Sequence, residues 1–306
     1  MQDHNPFSPP GARLAREAEA GGVLLEPRGV PVSHGWRWIV DGYTLFKASP
    51  GMWLLALLIF FAVLIVLSTA MSMGALVYLL ASGLLPAGEA QPDLSRWNQL
   101  PLGLAVFVFI MSVLIQAATS AMQGGLMCTA RSVDATGELD LGQVFCGLRP
   151  SRLGRLALGG GLYAVAQVGL QIAVEAGYDA WVRSVGLESL ADLGATPWEA
   201  ALMNLLPQLT TMALALPLMM AMLYFPALVV FHEVSVATGL RMSFMACLRN
   251  VLPLFWYAIL ATLMLIMGTL ALLVGLLAVI PVLVASLYFS YRDIFEYGEG
   301  GAAVTA

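Results

Sequence analysis

Few residues in this sequence combine the types and the spacing that catalysis or metal binding requires. His232 and Glu233 begin like the H-E-x-x-H motif of zinc proteases, in which two histidines bind the metal and the glutamate activates water. The position of the second histidine is Val236, so this zinc site cannot form. The nucleophile-elbow, phosphate-loop and dinucleotide-binding motifs are also absent from the sequence. We therefore expect no catalytic residue, no metal and no cofactor, and we interpret the protein as a non-enzyme.

The remaining ionisable residues leave one route to an enzyme. The sequence has three histidines, of which His4 lies in the N-terminal tail. An enzyme would need the other two, His34 and His232, to cluster with Asp41 and Asp293 at one face of the membrane. No Asp, Glu, Lys or Arg lies deep inside a predicted span, whereas proton-coupled transporters and intramembrane proteases usually need such a group. This pattern disfavours both of those classes.

Uncharged amides do occur within the apolar stretches, and they form a candidate polar seam. Gln167 and Gln171 are four residues apart, hence on one face of a helix. Such side chains either line a substrate groove or hydrogen-bond between helices, where a pair contributes about 0.6 kcal/mol in membranes. We expect them to face other helices or a wet cavity, because an amide among acyl chains has no partner. The candidate seam consists of Gln116, Gln167, Gln171 and Gln208.

Small residues at helical spacing form a candidate helix-packing stripe. Ala117, Ala121 and Gly125 recur every four residues in the second predicted span, and small side chains let two helices approach closely. Glycines also occupy 159–161, at the beginning of the third predicted span. We predict that the second and third spans are neighbours in the bundle. A dimer interface is the alternative role for the stripe.

The composition indicates a membrane protein. The chain has 306 residues, of which 59% are hydrophobic and 11% are charged, whereas an ordinary soluble domain has about 25% charged residues. Lipid must therefore be the solvent for much of the surface. The net charge of −5 gives no reason to expect a nucleic-acid partner. We expect the partners to be membrane lipids, together with other membrane proteins or a second copy of the chain.

Stretches without Asp, Glu, Lys or Arg define the spans, because a helix needs about 20 apolar residues to cross the hydrocarbon core. The stretch 48–88 is predicted to hold one long span, near 52–72. The stretch 250–291 is predicted to hold a hairpin of two spans, with Gly268 and Gly275 as places to turn. The other three spans are predicted near 100–126, 155–175 and 203–231. The prediction is an all-α, polytopic membrane bundle of six transmembrane helices.

The distribution of basic residues sets the orientation. With six spans, all 14 Lys and Arg residues except Arg96 and Arg183 fall on one side of the membrane. Cytoplasmic segments of membrane proteins carry an excess of Lys and Arg. We therefore expect a bacterial inner-membrane protein with both termini in the cytoplasm.

The regions outside the spans are assigned from composition. Residues 1–31 and 297–306 are predicted to be disordered tails, and 32–296 is predicted to be the transmembrane domain. The three cysteines have no metal-ligand spacing, and their odd number argues against a disulfide framework. We expect reduced thiols near the cytoplasmic face for Cys128, Cys146 and Cys247.

Three segments of the sequence resemble one another, beginning at Gly42, Gly142 and Gly239. Each is a short amphipathic stretch followed by Lys or Arg, a proline and a span. We predict interfacial helices at 34–48, 139–149 and 237–250 and, with them, three repeated helix-pair units. The alternative is that any cytoplasmic junction tends to be basic and amphipathic, without a repeat.

Three stretches carry a resemblance to a known family: HGWRWIVDGYTLFKASPGMWL, SFMACLRNVLPLFWYAIL and ASLYFSYRDIFEY. Together they resemble an uncharacterised proteobacterial inner-membrane family with a GW-x-W opening, an S-F-x-A-C-L-x-N junction and a Y-R-D-I-F ending, over about residues 33–296. The chain is also distantly similar to membrane regions that accompany glycerophosphodiester phosphodiesterases, although it has no phosphodiesterase domain. The resemblance implies a six-span inner-membrane protein without an established activity or catalytic residues.

Function is therefore assigned mainly by exclusion. The leading hypothesis is a non-enzymatic scaffold that assists other membrane components through its amphipathic junctions. The alternative is a passive transporter or lipid-handling protein in which the glutamines line a groove. A continuous polar cavity between the spans would favour the alternative.

Overall fold

The computed structural model of the chain describes residues 27–82, 100–184, 197–271 and 274–296, without the side chains of 197–204. The predicted tail 297–306 and nearly all of the predicted tail 1–31 lie outside the described residues. Six helices in the described ranges are long and apolar enough to cross a membrane. The prediction of an all-α, polytopic bundle is therefore confirmed.

The helices follow one another in the order that the sequence predicts. Each span is one helix, except that the fourth is divided into α5 and α6. The helices are α1 (His34–Ala48), α2 (Pro50–Ala81), α3 (Leu102–Thr136), a 3-10 helix (Leu141–Leu148), α4 (Pro150–Ser184), α5 (Pro197–Leu223), α6 (Phe225–His232), α7 (Val236–Arg249), α8 (Val251–Leu270) and α9 (Leu276–Phe295).

The two long apolar stretches have the predicted structures. The first forms the single helix α2, and the last forms the hairpin of α8 and α9. The hairpin closes where Gly268 meets Gly275. A Cβ atom on Gly275 would lie 2.7 Å from the Cα atom of Gly268, so the backbones can approach this closely only because both residues lack a side chain.

The fourth span has a break that the sequence analysis did not predict. In a continuous helix the Tyr224 amide would donate to the Met220 carbonyl. The Ser243 hydroxyl of α7 stands between them: it accepts from Tyr224 N at 3.0 Å and donates to Met220 O at 2.7 Å. Pro226, which has no amide hydrogen, follows directly. The inserted hydroxyl and the proline together explain the break.

Three short helices precede spans at one end of the bundle, which we call the junction face. The helices are α1, the 3-10 helix and α7, and they confirm that the three predicted junction segments are helical. They share one end because the six spans alternate in direction. Pro50 and Pro150 begin α2 and α4, and Pro253 lies in the first turn of α8, where a missing amide hydrogen costs no helical bond.

The protein core is concentrated toward the junction face. The largest fully buried side chains include Trp38, Trp53, Tyr224, Tyr291 and Phe295. In contrast, apolar side chains of α2 and α8 are widely exposed along their spans. This exposed surface is suited to acyl chains, and the packed end of the molecule is where polar side chains can be held in fixed positions.

Candidate functional site at the junction face

Asp293, near the end of α9, is the acceptor for three side chains from two segments of the chain. His34 Nδ1 lies 2.6 Å and Trp38 Nε1 lies 2.9 Å from its Oδ2 atom. The Arg28 guanidinium forms an ion pair with Oδ1. Charged hydrogen bonds of this kind are stronger than neutral ones. Asp293 therefore ties α1 and the segment before it to α9.

Asn250, between α7 and α8, holds the same N-terminal segment. Its Oδ1 accepts from Val30 N at 2.8 Å, and its Nδ2 donates to the carbonyls of Arg28 and Ala246, each at 2.9 Å. The side chain is fully buried. An amide can satisfy three backbone groups in this way because it is donor and acceptor at once.

The three stretches that carry the family resemblance meet here. Trp38 belongs to the first, Ser243 and Asn250 to the second, and Asp293 to the third. Gly35 also allows the contact, because a Cβ atom there would lie 2.8 Å from the Pro253 carbonyl oxygen. Residues of the three stretches thus join distant segments of the chain at one place.

Two further carboxylates extend the polar network. Glu296 pairs with Arg131 of α3 and lies 3.4 Å from His232 Nε2, which is 2.5 Å from the Tyr291 hydroxyl. Asp134 near the end of α3 accepts from Tyr288 at 2.9 Å and pairs with Arg292. The carboxylates link α3 and α6 to the end of α9.

The pKa values of two carboxylates outside the spans, Glu296 and Asp41, are shifted in opposite directions. Burial raises the pKa of Glu296, but the hydrogen bond to His232 and the charge of Arg131 outweigh it, so the net pKa lies below the usual range. Burial dominates at Asp41 and raises its pKa, although Arg37, 3.7 Å away, acts in the opposite direction. Glu296 is therefore held as a charged partner, as expected for an ion pair.

The cluster that an enzyme would need forms only in part. His34 contacts Asp293, but His232 contacts Glu296 and Tyr291, and Asp41 pairs with Arg37. The Asp293 carboxylate already accepts from three donors, which suits a structural tie better than a general base. Over the described ranges, no group of three His, Cys, Asp or Glu residues could hold a metal ion.

Comparison with known proteins identified no related protein or family. No protein-family model, curated protein or solved structure matches this chain. The proteobacterial family resemblance therefore stays a prediction.

The four glutamines of the candidate seam differ in their surroundings. Gln167 donates to Tyr163 at 2.9 Å and Gln171 to Glu175 at 3.1 Å, both within α4. Gln116 on α3 is partly buried, and Gln208 on α5 is exposed. The two paired amides find their partners four residues away on the same helix, a solution that residue type alone did not reveal.

The candidate stripe lies where α3 packs against two elements. α3 and α4 are neighbours, as predicted. A Cβ atom on Gly160 would lie 2.5 Å from the Gln116 carbonyl oxygen and 3.0 Å from the Ala117 Cα atom. One turn further along the stripe, Ala121 and Gly125 meet the backbone of the 3-10 helix. Within the single chain, both α4 and the 3-10 helix therefore pack against the stripe.

The expectation of three reduced thiols is wrong for two of the cysteines. Cys128 of α3 and Cys146 of the 3-10 helix form a disulfide, with their Cα atoms 6.6 Å apart. An odd number of cysteines did not exclude one bridge, because Cys247 is left as the third. Gly125 and Gly147 allow the close helix contact that brings the pair together. Burial raises the pKa of the free Cys247 thiol to about 12.

An arginine-lined cavity adjoins the disulfide. It has a volume of about 380 Å³ and lies between α3, the 3-10 helix, α4 and α6. The charged and polar residues in its wall are Arg131, Ser132, Gln143, Arg149 and Arg152, with Cys128, Ala135, Val230 and Phe231 completing it. Sequence analysis used these arginines only for topology, because residues 131 and 149–152 are brought together by the packing of α4 and the 3-10 helix against α3.

Proposed function

We propose that this multi-pass membrane protein is a non-enzymatic scaffold that assists other components of a bacterial inner membrane from its cytoplasmic face. The observation that carries the proposal is shared by all three junction helices. Each exposes large apolar side chains next to a basic residue, while its other side packs into the bundle.

The exposed apolar residues are spread over the whole junction face. On α1 Trp36 is 56% exposed and lies beside Arg37; on the 3-10 helix Phe145 is 45% exposed; on α7 Leu248 is 47% exposed and precedes Arg249. A helix with apolar and basic groups of this kind lies in the membrane interface. Its exposed side chains are then available to lipids or to a partner protein at the membrane surface.

Site-specific photocrosslinking in intact cells tests the proposal. A photoreactive residue would replace Trp36, Phe145 or Leu248 in turn, with Leu58 of α2, which is 64% exposed along a span, as the matched control. A scaffold should give the same discrete protein adduct from at least two junction positions and none from the control. Adducts with lipid alone at every position would refute the scaffold.

The second candidate is a lipid-handling protein. The arginine-lined cavity favours it, because guanidinium groups bind the phosphate of lipid headgroups. Reconstitution into vesicles with a fluorescent anionic lipid measures transbilayer movement directly. Movement above that of protein-free vesicles would support this candidate, and equal rates would remove it.

A further inference from the structure

We infer that the arginine-lined cavity is a binding site for a phosphate-bearing anion, with Arg149 and Arg152 as its principal ligands. The inference deepens the lipid-handling candidate and rests on it only where the phosphate belongs to a lipid headgroup. Inorganic phosphate presents the same chemistry.

The first argument is charge balance. Arg131, one of three arginines in the cavity wall, is neutralised by Glu296 and lies over the Phe231 ring at 3.6 Å. Within the described part of the chain, neither Arg149 nor Arg152 has a carboxylate partner. Two positive charges in one cavity repel each other, and an anion between them removes this cost.

The second argument is an unsatisfied donor. The Nε atom of Arg152 is buried and, among the described residues, has no hydrogen-bond partner. Its Nη1 group only reaches the sulfur of Cys146, at 3.4 Å, and a sulfur is a weak acceptor. Buried donors are nearly always paired in proteins. A phosphate oxygen is an acceptor of the required charge.

The third argument is position. Arg149 precedes Pro150, the first residue of α4, and Arg152 lies in its first turn. The positive end of the helix dipole lies here and favours an anion, although the Arg152 amide itself donates to the Arg149 carbonyl at 2.9 Å. Arg155, one turn further, donates to the Glu233 carbonyl at 2.5 Å. Of the three arginines that line the cavity, Arg149 and Arg152 are therefore the two that are left for a ligand.

The ligand chemistry follows from the donors. Guanidinium groups bind phosphate oxygens in pairs through parallel N–H groups. The remaining wall adds the Ser132 hydroxyl and the Gln143 amide, which suit further phosphate or glycerol oxygens. A cavity of about 380 Å³ has room for a headgroup while the acyl chains remain outside.

The test uses the full chain in nanodiscs of phosphatidylcholine. Short-chain phosphatidylglycerol and, separately, inorganic phosphate are titrated, and binding is measured by native mass spectrometry. The variants are Arg149→Gln, the double variant Arg149→Gln/Arg152→Gln, and Arg241→Gln as control. Arg241 is exposed on α7, and its substitution removes the same charge from the junction face outside the cavity.

We expect saturable binding by the parent chain, a loss of affinity of about tenfold or more in the double variant, and no change in the control. Arg149 is exposed, so the single variant should stay folded and show a smaller loss even if the double variant does not fold. A response to phosphatidylglycerol alone identifies a lipid as the source of the phosphate. A response to inorganic phosphate identifies the free anion.

Equal losses in Arg241→Gln and the cavity variants would overturn the inference, since binding would then reflect general surface charge. Undetectable binding of both ligands to the parent chain would also overturn it. Binding at the cavity without transbilayer movement would remove the lipid-handling candidate and leave the inference intact. Transbilayer movement that neither Arg149→Gln nor the double variant alters would support the lipid-handling candidate and would count against the inference.

Discussion

At the scale of single residues, Asp293 shows how a few polar side chains determine the packed end of the molecule. Its carboxylate joins Arg28, His34 and Trp38, which lie more than 250 residues away in the sequence. A partly buried charge with several donors is costly to break, because removal of one partner leaves the others unpaired. The contributions of these side chains to stability therefore depend on one another, and single substitutions can test this dependence.

Asp293→Ala should lower the free energy of unfolding by about 3–5 kcal/mol, the range found when one partner of a buried ion pair is removed. Asp41→Ala is the matched control, because Asp41 is more exposed and, among the described residues, pairs only with Arg37 on the same helix. Its loss should be about 0.5 kcal/mol or less. Unfolding in mixed micelles with increasing dodecyl sulfate measures both. Equal losses would contradict a coupled role for Asp293.

Glu296 should make the stability depend on pH in the acid range. Its folded pKa lies below the ordinary value of 4.5, so its stabilising effect is complete above that value and is lost as the pH falls through the folded pKa. The difference in unfolding free energy between the parent chain and Glu296→Gln should therefore be constant near neutral pH and shrink below about 4.5. Glu138→Gln, an exposed position, should show little difference at any pH. A Glu296 difference that grows toward acid would contradict the assigned sign.

At the scale of elements, spans and junction helices could be predicted because each depends on local sequence. The charge of the loops predicted α2 as one helix, apolar length predicted α8 with α9 as a hairpin, and amphipathic spacing predicted α1 and α7. The break before α6 depends instead on Ser243, about 20 residues away on another helix, and the disulfide depends on how two helices pack. Likewise, types and spacing did not reveal that Gln167 and Gln171 bond within α4.

Ser243→Ala tests the break in the fourth span. Without the hydroxyl, the buried Tyr224 amide and the Met220 carbonyl both lose a partner, which should cost about 2–3 kcal/mol of unfolding free energy. Ser112→Ala is the matched control, because this partly buried serine donates to the Val108 carbonyl of its own helix at 2.8 Å. It should cost less than about 1 kcal/mol. A Ser243 effect no larger than the control would show that Pro226 alone maintains the break.

Gly160 and Gly161 offer a matched pair for the α3–α4 contact. A methyl group at Gly160 would meet the α3 backbone, whereas one at Gly161 would meet only the Val113 side chain at 3.5 Å, an ordinary contact. Gly160→Ala should destabilise the protein by about 1–3 kcal/mol through overpacking. Gly161→Ala should be neutral or stabilising by up to about 1 kcal/mol, since alanine favours helix. The micelle unfolding assay separates them, and equal effects would show that the glycines are not used for close packing.

At the scale of the whole molecule, two observations disagree about which side of the membrane the junction face occupies. Among the residues that the structure describes, every Lys and Arg except Arg183 lies at that end of the bundle, which favours the cytoplasm. The Cys128–Cys146 disulfide is also there, and disulfides persist mainly in oxidising compartments outside it. The charge bias draws on many residues, whereas one buried disulfide can be sheltered from reductants by its burial. The cytoplasmic assignment therefore takes precedence as a prediction.

Single cysteines introduced at opposite ends of α2 decide the orientation. Ser49 lies at the junction face and Ser82 at the other end of the helix. In a chain with its own three cysteines replaced, an impermeant maleimide added to intact cells that have a permeable outer membrane should label Ser82→Cys but not Ser49→Cys. Lysed cells serve as the control, in which both should react. The reverse pattern would place the junction face outside the cytoplasm. The disulfide would then lie in the compartment that favours it, and a partner of the junction helices would have to be sought there.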